Sequence, residues 1–459
     1  MSTQTTTTLA STTFQWAETI PGKWERKLDE REHQVLMYTR SAPKYAPYYG
    51  CCSVKFKYDV EDIIDRVRRA WRTLRHDHPS LGASVEDTEN GPVWVYRVPS
   101  EADAAAWLAE TFSVDHSGRS ADELYPYHDT SKPIFLKYLP ATQEVVFGAD
   151  HVYCDGIGIL LFLNNVCELV ARPRSVVFGT GAEVANLSLP FASVLDIPEP
   201  SPDALAKASA IIKAWAAKAA NSMAVSSSKD STQPPGTCRK LTMLLSQADT
   251  SNLQQAAKAK GMTLAVAAHA AVIMATKRHG GPSTDGKNWA SSLVFGYRHK
   301  ARPPYNSAKF PISVLSVGFP EAIENPTGFL DASEKLRAAY TFWLSSEDAI
   351  QLIEPLRNMV SQAMKKAPGS GRMALPNVVN IGVIKDVQER YGDLEVLHLT
   401  GGMREIGPSV DNHFLTFRGR LNILSNFNDA YHDVASIERL MQMVKEELFR
   451  GLDVQPVEH

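Results

Sequence analysis

Short runs in which apolar and polar residues alternate recur between segments of helical period along nearly the whole chain. This interleaving constrains the fold more than any single motif. YYGCCSVKFKY, PVWVYRVP, PIFLKYLP and EVVFGADHVY read as strands. Between them, VEDIIDRVRRAWRTL places Ile63, Ile64, Val67, Ala70, Trp71 and Leu74 on one helical face. GILLFLNNVCELVAR follows as a helix apolar around most of its circumference. Strands interleaved with helices of this kind build a layered α/β structure. At 459 residues the chain exceeds what one hydrophobic core usually holds, so two domains are expected.

The boundary falls where the composition changes. Residues 198–237 carry an Ala/Lys-rich helix, PEPSPDALAKASAIIKAWAAKAANSM, and then a Ser/Pro-rich connector, AVSSSKDSTQPPGT. This segment divides a first domain, 23–197, from a second, 238–459. Residues 1–22 open with MSTQTTTTLASTTF and are expected to form a disordered polar tail, with no apolar signal core. In the second half, RKLTMLLS, WASSLVFGY, ISVLSVGFP, NVVNIGVI, LEVLHLT and FLTFRGRLNILSNF read as strands. The helices there are a capped pair broken at Gly261, an interrupted stretch over 331–366, and a final amphipathic SIERLMQMVKEELF.

Net charge is −3, with neither a basic arm nor an acidic tail, which argues against nucleic acid and anionic membranes as partners. No apolar run reaches the roughly 20 residues of a transmembrane helix. The five cysteines, at 51, 52, 154, 167 and 238, have neither metal-ligand nor disulfide-scaffold spacing. A reducing, cytoplasmic setting is expected, with no metal.

GPSTDGKN, residues 281–288, nearly spells a phosphate-binding loop, but a helix precedes it and a strand follows, the reverse of what that loop requires. It reads as a polar turn. RHDHP at 75–79 reads as a helix C-terminus, where His and Arg complement the dipole.

GADHVYCDGIG, residues 148–158, is different. It closes a strand and opens a helix, and it sets His151 and Asp155 between two apolar runs. Such polar groups cost core stability unless they are used. Taken structurally, His151 is a bonded histidine at a strand end and Asp155 caps the next helix. Taken functionally, His151 is a base, and Gly156 and Gly158 let a ligand or backbone approach closely.

DHVYCDG matches, at His151, Asp155 and Gly156, the H-H-x-x-x-D-G signature of the chloramphenicol acetyltransferase and peptide-synthetase condensation-domain superfamily, which the sequence resembles. The likeness extends to VEDIIDRVRRAWRTLRHDHPSLGAS, LQQAAKAKGMTLAVAAHAAVIMA, VFGYRHKARPPY and NVVNIGVI, in order, over residues 24–450. Asp150 replaces the first His of the doublet. Within the superfamily, KWERKLDEREHQVLMYTR and DHVYCDGIG look most like fungal acyltransferases of the trichothecene 15-O-acetyltransferase type, and the plant-type D-F-G-W-G is missing.

The resemblance implies two similar α/β sandwich domains meeting at a V-shaped cleft, with His151 in a central tunnel. It implies an O-acyltransferase in which His151, as general base, deprotonates an alcohol of a fungal secondary metabolite that attacks acetyl-CoA or another short acyl-CoA. The acyl-CoA is a co-substrate, no cofactor is tightly bound, and the protein is expected to be a monomer. Asp155 is implied to orient the motif loop by pairing with Arg298 or, second, Arg302, with an unpartnered surface arginine as the alternative. Asn380 and the backbone around Gly156 are candidates for the oxyanion or substrate contact. Strand alternation turns Asp150 away from His151. Two rival readings stay open: a condensation-fold enzyme using a carrier-bound acyl group or cyclising a bound intermediate, and a non-catalytic binding protein.

Overall fold

The computed structural model describes residues 14–46, 48–366 and 374–457. The main sheet of the first half has six strands, in the order Arg390–Tyr391, Leu394–Met403, Tyr49–Lys57, Glu144–Asp150, Ile134–Leu139 and Phe112–Val114. All neighbours pair antiparallel except the last two, which are parallel. The helices Ile63–Asp77 and Gly156–Ala171 pack together against this sheet. Trp71, Phe147 and Phe162, all fully buried, meet there, with the phenylalanine ring centroids 4.4 Å apart. The Trp71 indole N–H donates to Thr111 at 2.8 Å, so its one polar atom is satisfied inside the core.

The second half is built on a four-stranded sheet, Pro376–Val383, Val410–Phe417, Arg420–Asn428 and Cys238–Leu244 in that order. The helices Leu264–Gly280 and Val434–Gly451 pack against each other over its apolar cluster. A separate pair of strands, Trp289–Gly296 and Ser316–Ile323, stands beside it. Thr263 caps Leu264–Gly280, and its alanine-rich body, buried over most of its length, lets neighbouring elements approach closely.

Three features differ from the sequence reading. LEVLHLT belongs to a strand, Leu394–Met403, that leaves its own half and pairs with Tyr49–Lys57 of the first half, from Glu395 opposite Lys57 to Met403 opposite Gly50. Period-two patterning specifies which face of a strand is buried but not which sheet it joins. Within the expected tail, residues 1–13 lie outside the described residues, whereas Ala17–Ile20 form a strand paired with Lys23–Lys27. The correction has a physical cause: the Trp16 indole N–H donates to the Ser188 carbonyl at 2.8 Å and its ring stacks under Arg26. The Ala/Lys-rich helix, Pro202–Ala219, is no free spacer either. Its Ala208 is buried in a cluster with Phe191, Trp289 and Trp343. Among the described residues no single helix is long and apolar enough to cross a membrane.

The helix Gly156–Ala171 meets the second half at its first turn. A Cβ on Gly158 would stand 2.4 Å from the Pro311 carbonyl oxygen, a backbone atom that cannot swing away. Gly158→Ala is expected to lower stability in denaturant unfolding by on the order of 1–3 kcal/mol, as overpacking of a tight contact does. Gly156→Ala, whose Cβ would meet only the Ile381 side chain at 3.2 Å, is expected to cost less.

Candidate active site

His151 sits in the turn between the strand Glu144–Asp150 and the helix Gly156–Ala171. Its backbone N–H donates to the Tyr48 carbonyl at 3.0 Å, extending the strand ladder by one bond and fixing where the ring starts. The ring lies 5.8 Å from that of Tyr48, which stacks on Tyr38 at 4.7 Å. Tyr48 adopts φ +60°, an uncommon conformation for a bulky residue, held here by these ring contacts.

The imidazole is half-buried and faces a cavity of about 1920 Å³ lined by both halves of the chain. From the first half come Arg31, Tyr38, Tyr48 and His151. From the second come Ser291, Asn377, Asn380, Asp411 and His413. Burial, and then the positive charge of Arg31, lower the His151 pKa to about 4. The ring is therefore neutral at pH 7, the state a base requires. Its Nδ1 is buried with no partner outside its own residue among the described residues.

Asp155 is 1% exposed and does three things at once. It caps the motif helix, accepting from Gly158 N–H at 2.7 Å. Its other oxygen accepts from Leu315 N–H, in the second half, at 2.6 Å. Arg298 approaches at 3.5 Å, but its shorter bonds go to the carbonyls of Phe310, 2.8 Å, and Ser313, 3.1 Å. Arg298 thus braces the loop that Asp155 grips, and the backbone bonds hold the carboxylate more closely than the guanidinium does. Arg302 lies over the Tyr305 ring instead, 5.7 Å from its centroid.

Asp150 faces away from the imidazole. Its carboxylate accepts from the Thr39 hydroxyl at 2.9 Å, and burial raises its pKa to about 6. It does not figure among the groups that perturb His151. Asn380 lines the cavity, but its amide donates to the Tyr340 hydroxyl at 2.9 Å and the Ala265 carbonyl at 3.2 Å. A carbonyl can only accept, so the amide orientation is fixed and both hydrogens are taken. The expectation that Asn380 donates to an oxyanion is corrected on that ground, and only its carbonyl remains for a substrate. The backbone N–H groups of Gly156 and Ile157 stay available: they open the motif helix, line the cavity, and have no intrahelical acceptor.

Sequence reasoning missed Arg31, Tyr38, Tyr48, Asp411 and His413. One signal was present: the helix Glu30–Ser41 carries charge on every face, yet it buries Arg31, Glu32 and Gln34. Asp411 and His413 alternate on one strand toward the cavity. Burial raises Asp411 to about 6 and lowers His413 to about 4.

No protein-family model matches the chain. Over 96% of its length it is 24% identical to acetyltransferase pigO of Monascus ruber, and the alignment covers 98% of that protein. Its structure resembles TRI3 trichothecene 15-O-acetyltransferase from Fusarium sporotrichioides, with a TM-score of 0.82 at 17% identity, covering 96% of this chain and 98% of that one. It also resembles the first condensation domain of the calcium-dependent antibiotic synthetase, with a TM-score of 0.65 at 15% identity over 95% and 97% of the two chains. The chain therefore shares the mixed α/β fold of that acetyltransferase and that condensation domain, the fold its motif implied.

Two outcomes follow from this geometry. Asp150→Ala is expected to leave the acidic limb of any His151-dependent pH–rate profile in place, because its carboxylate is engaged by Thr39. Asp155→Ala, which orphans two buried backbone donors, is expected to cost about 3–5 kcal/mol in denaturant unfolding, whereas Arg302→Ala costs under about 1 kcal/mol.

Proposed function

We propose that this protein is an acyl-CoA-dependent O-acyltransferase of fungal secondary metabolism, with an acetyl or other short acyl group as the transferred unit. The observation that carries the reading is a neutral imidazole, His151, opening onto a cavity that both halves line. The likeness to pigO and to a trichothecene 15-O-acetyltransferase supports acyl transfer to oxygen.

An alcohol has a pKa far above 7 and attacks a thioester slowly unless a base removes its proton in the transition state. Nδ1 is buried, so Nε2 is the nitrogen we assign to that proton. The alkoxide-like oxygen adds to the thioester carbon, and the C–O bond forms as the proton moves to His151. Negative charge gathers on the former carbonyl oxygen, where the free N–H groups of Gly156 and Ile157 at the helix start can meet it. Collapse breaks the C–S bond, and the imidazolium returns its proton to the departing thiolate. No acyl-enzyme is needed. Both substrates must therefore be held together, and a cavity of this size has room for two. Arg31 contributes by disfavouring the imidazolium before substrate arrives, which keeps the base free near neutral pH.

The test is release of CoA, followed with a thiol reagent, when the protein is incubated with acetyl-CoA and an alcohol panel. We expect wild-type release above the uncatalysed rate, and His151→Ala to lose on the order of 10²–10⁴-fold. His151 must be unprotonated to act, so kcat/KM should hold as pH falls and decline only near the lowered pKa of about 4, well below the about 6.5 of an unperturbed histidine. Undiminished turnover by His151→Ala would overturn the assignment.

A further inference from the structure

Other buried charges near the site have clear partners. Arg26 forms a two-pronged pair with Glu32, at 2.7 and 2.6 Å, and Trp94 donates to the same carboxylate. Asp29 accepts from the backbone of Glu32 and Ala192, and Asp155 grips the second half as described. Arg31 does not fit this pattern. It is 7% exposed, lines the cavity, and has no carboxylate within ion-pair distance among the described residues. Among the described residues its one side-chain bond is to the Gln34 amide oxygen, at 3.3 Å, and its Nε is buried without a partner.

The same Gln34 oxygen also accepts from Arg357, a residue of the second half that is 3% exposed and likewise has no ion pair among the described residues. Two guanidiniums therefore converge on one neutral oxygen. Glu354, the carboxyl that acts most on Arg357, makes no ion pair with it, and one of its oxygens is buried with no hydrogen bond among the described residues. Unpaired buried charge of one sign is unfavourable, and a guanidinium remains charged in proteins. A bound anion supplies what is missing, and a carboxylate suits the planar fork of arginine.

We propose that Arg31, backed by Arg357 across Gln34, is a carboxylate-binding subsite of the cavity, so that one substrate carries a carboxylate near the reacting atoms. That a substrate carries the carboxylate rests on the acyltransfer reading above; the subsite itself does not. The phosphates of an acyl-CoA stand a whole pantetheine arm from the thioester carbon, and Arg31 lines the same cavity as His151, so it is poorly placed to serve them. The carboxylate belongs either to the acceptor or to a dicarboxylic acyl chain.

Hexanoate and 1-hexanol, which differ in their head groups, are titrated calorimetrically against wild type, His151→Ala, Arg31→Gln and Arg31→Lys. Wild type and His151→Ala are expected to bind hexanoate on the order of tenfold or more tightly than hexanol, as a charge-assisted bond provides. Arg31→Gln should level the two ligands, and Arg31→Lys should restore part of the preference. Equal binding by wild type, no hexanoate binding at millimolar concentration, or a preference that survives Arg31→Gln overturns the subsite. Should Arg31→Gln not fold, the wild-type ratio and Arg31→Lys decide. Faster CoA release from malonyl-CoA than from acetyl-CoA would assign the carboxylate to the donor, and the reverse order to the acceptor. Arg31-dependent hexanoate binding without turnover of any acyl-CoA would keep the subsite and remove the acyltransfer reading.

Discussion

The bond from the Asp155 carboxylate to the Leu315 backbone N–H joins the two halves at the place where the chemistry is presented. One carboxylate caps the motif helix, receives the second half's backbone and stands beside Arg298, all out of water. If it were lost, two buried donors would be orphaned and the helix start would be free to shift. Gly158 allows the approach, since any side chain there would strike the Pro311 carbonyl. The position of His151, four residues earlier, is set by this junction at one end and by the Tyr48 carbonyl at the other.

The electrostatics of the imidazole follow from what surrounds it. Burial and the Arg31 charge favour the neutral ring, while Asp155 opposes them more weakly. Asp150, adjacent in sequence, is turned to Thr39. The doublet histidine of the superfamily signature is thus replaced by a residue that ties the strand end to the helix Glu30–Ser41. That helix in turn brings Arg31 and Tyr38 to the cavity, and the buried Arg26–Glu32 pair fixes its start.

The sheet order makes the cavity a property of both halves. Leu394–Met403 adds itself to the first sheet, and its backbone near Gly401 and Gly402 lines the same space as Tyr48 and Gly50. With this strand crossing one way and the Asp155 bond crossing the other, neither half completes the site alone. The polar residues that Val410–Phe417 turns inward, Asp411 and His413, give the far wall groups that titrate away from their ordinary ranges.

Local pattern was legible because it is written in neighbouring residues: the helix over 60–74, the strand before His151, the cap at Asp155 and the apolar helix behind it all follow from spacing and residue type. Which arginine approaches Asp155 was narrowed by resemblance to Arg298 and Arg302, and only the packed loop places Arg298 at the carboxylate and Arg302 on Tyr305. Asn380 could be placed near the site but not given its bonds, because Tyr340 and Ala265 come from distant elements. Arg31 was not singled out, since burial is not encoded at one position. The sequence by itself determined the elements, the motif histidine and the turn that presents it, for these depend on bonds between near neighbours. The tertiary structure alone decided which sheet the strand at 394 joins, what the imidazole feels and which charges are left without partners, because those depend on groups that only packing brings together.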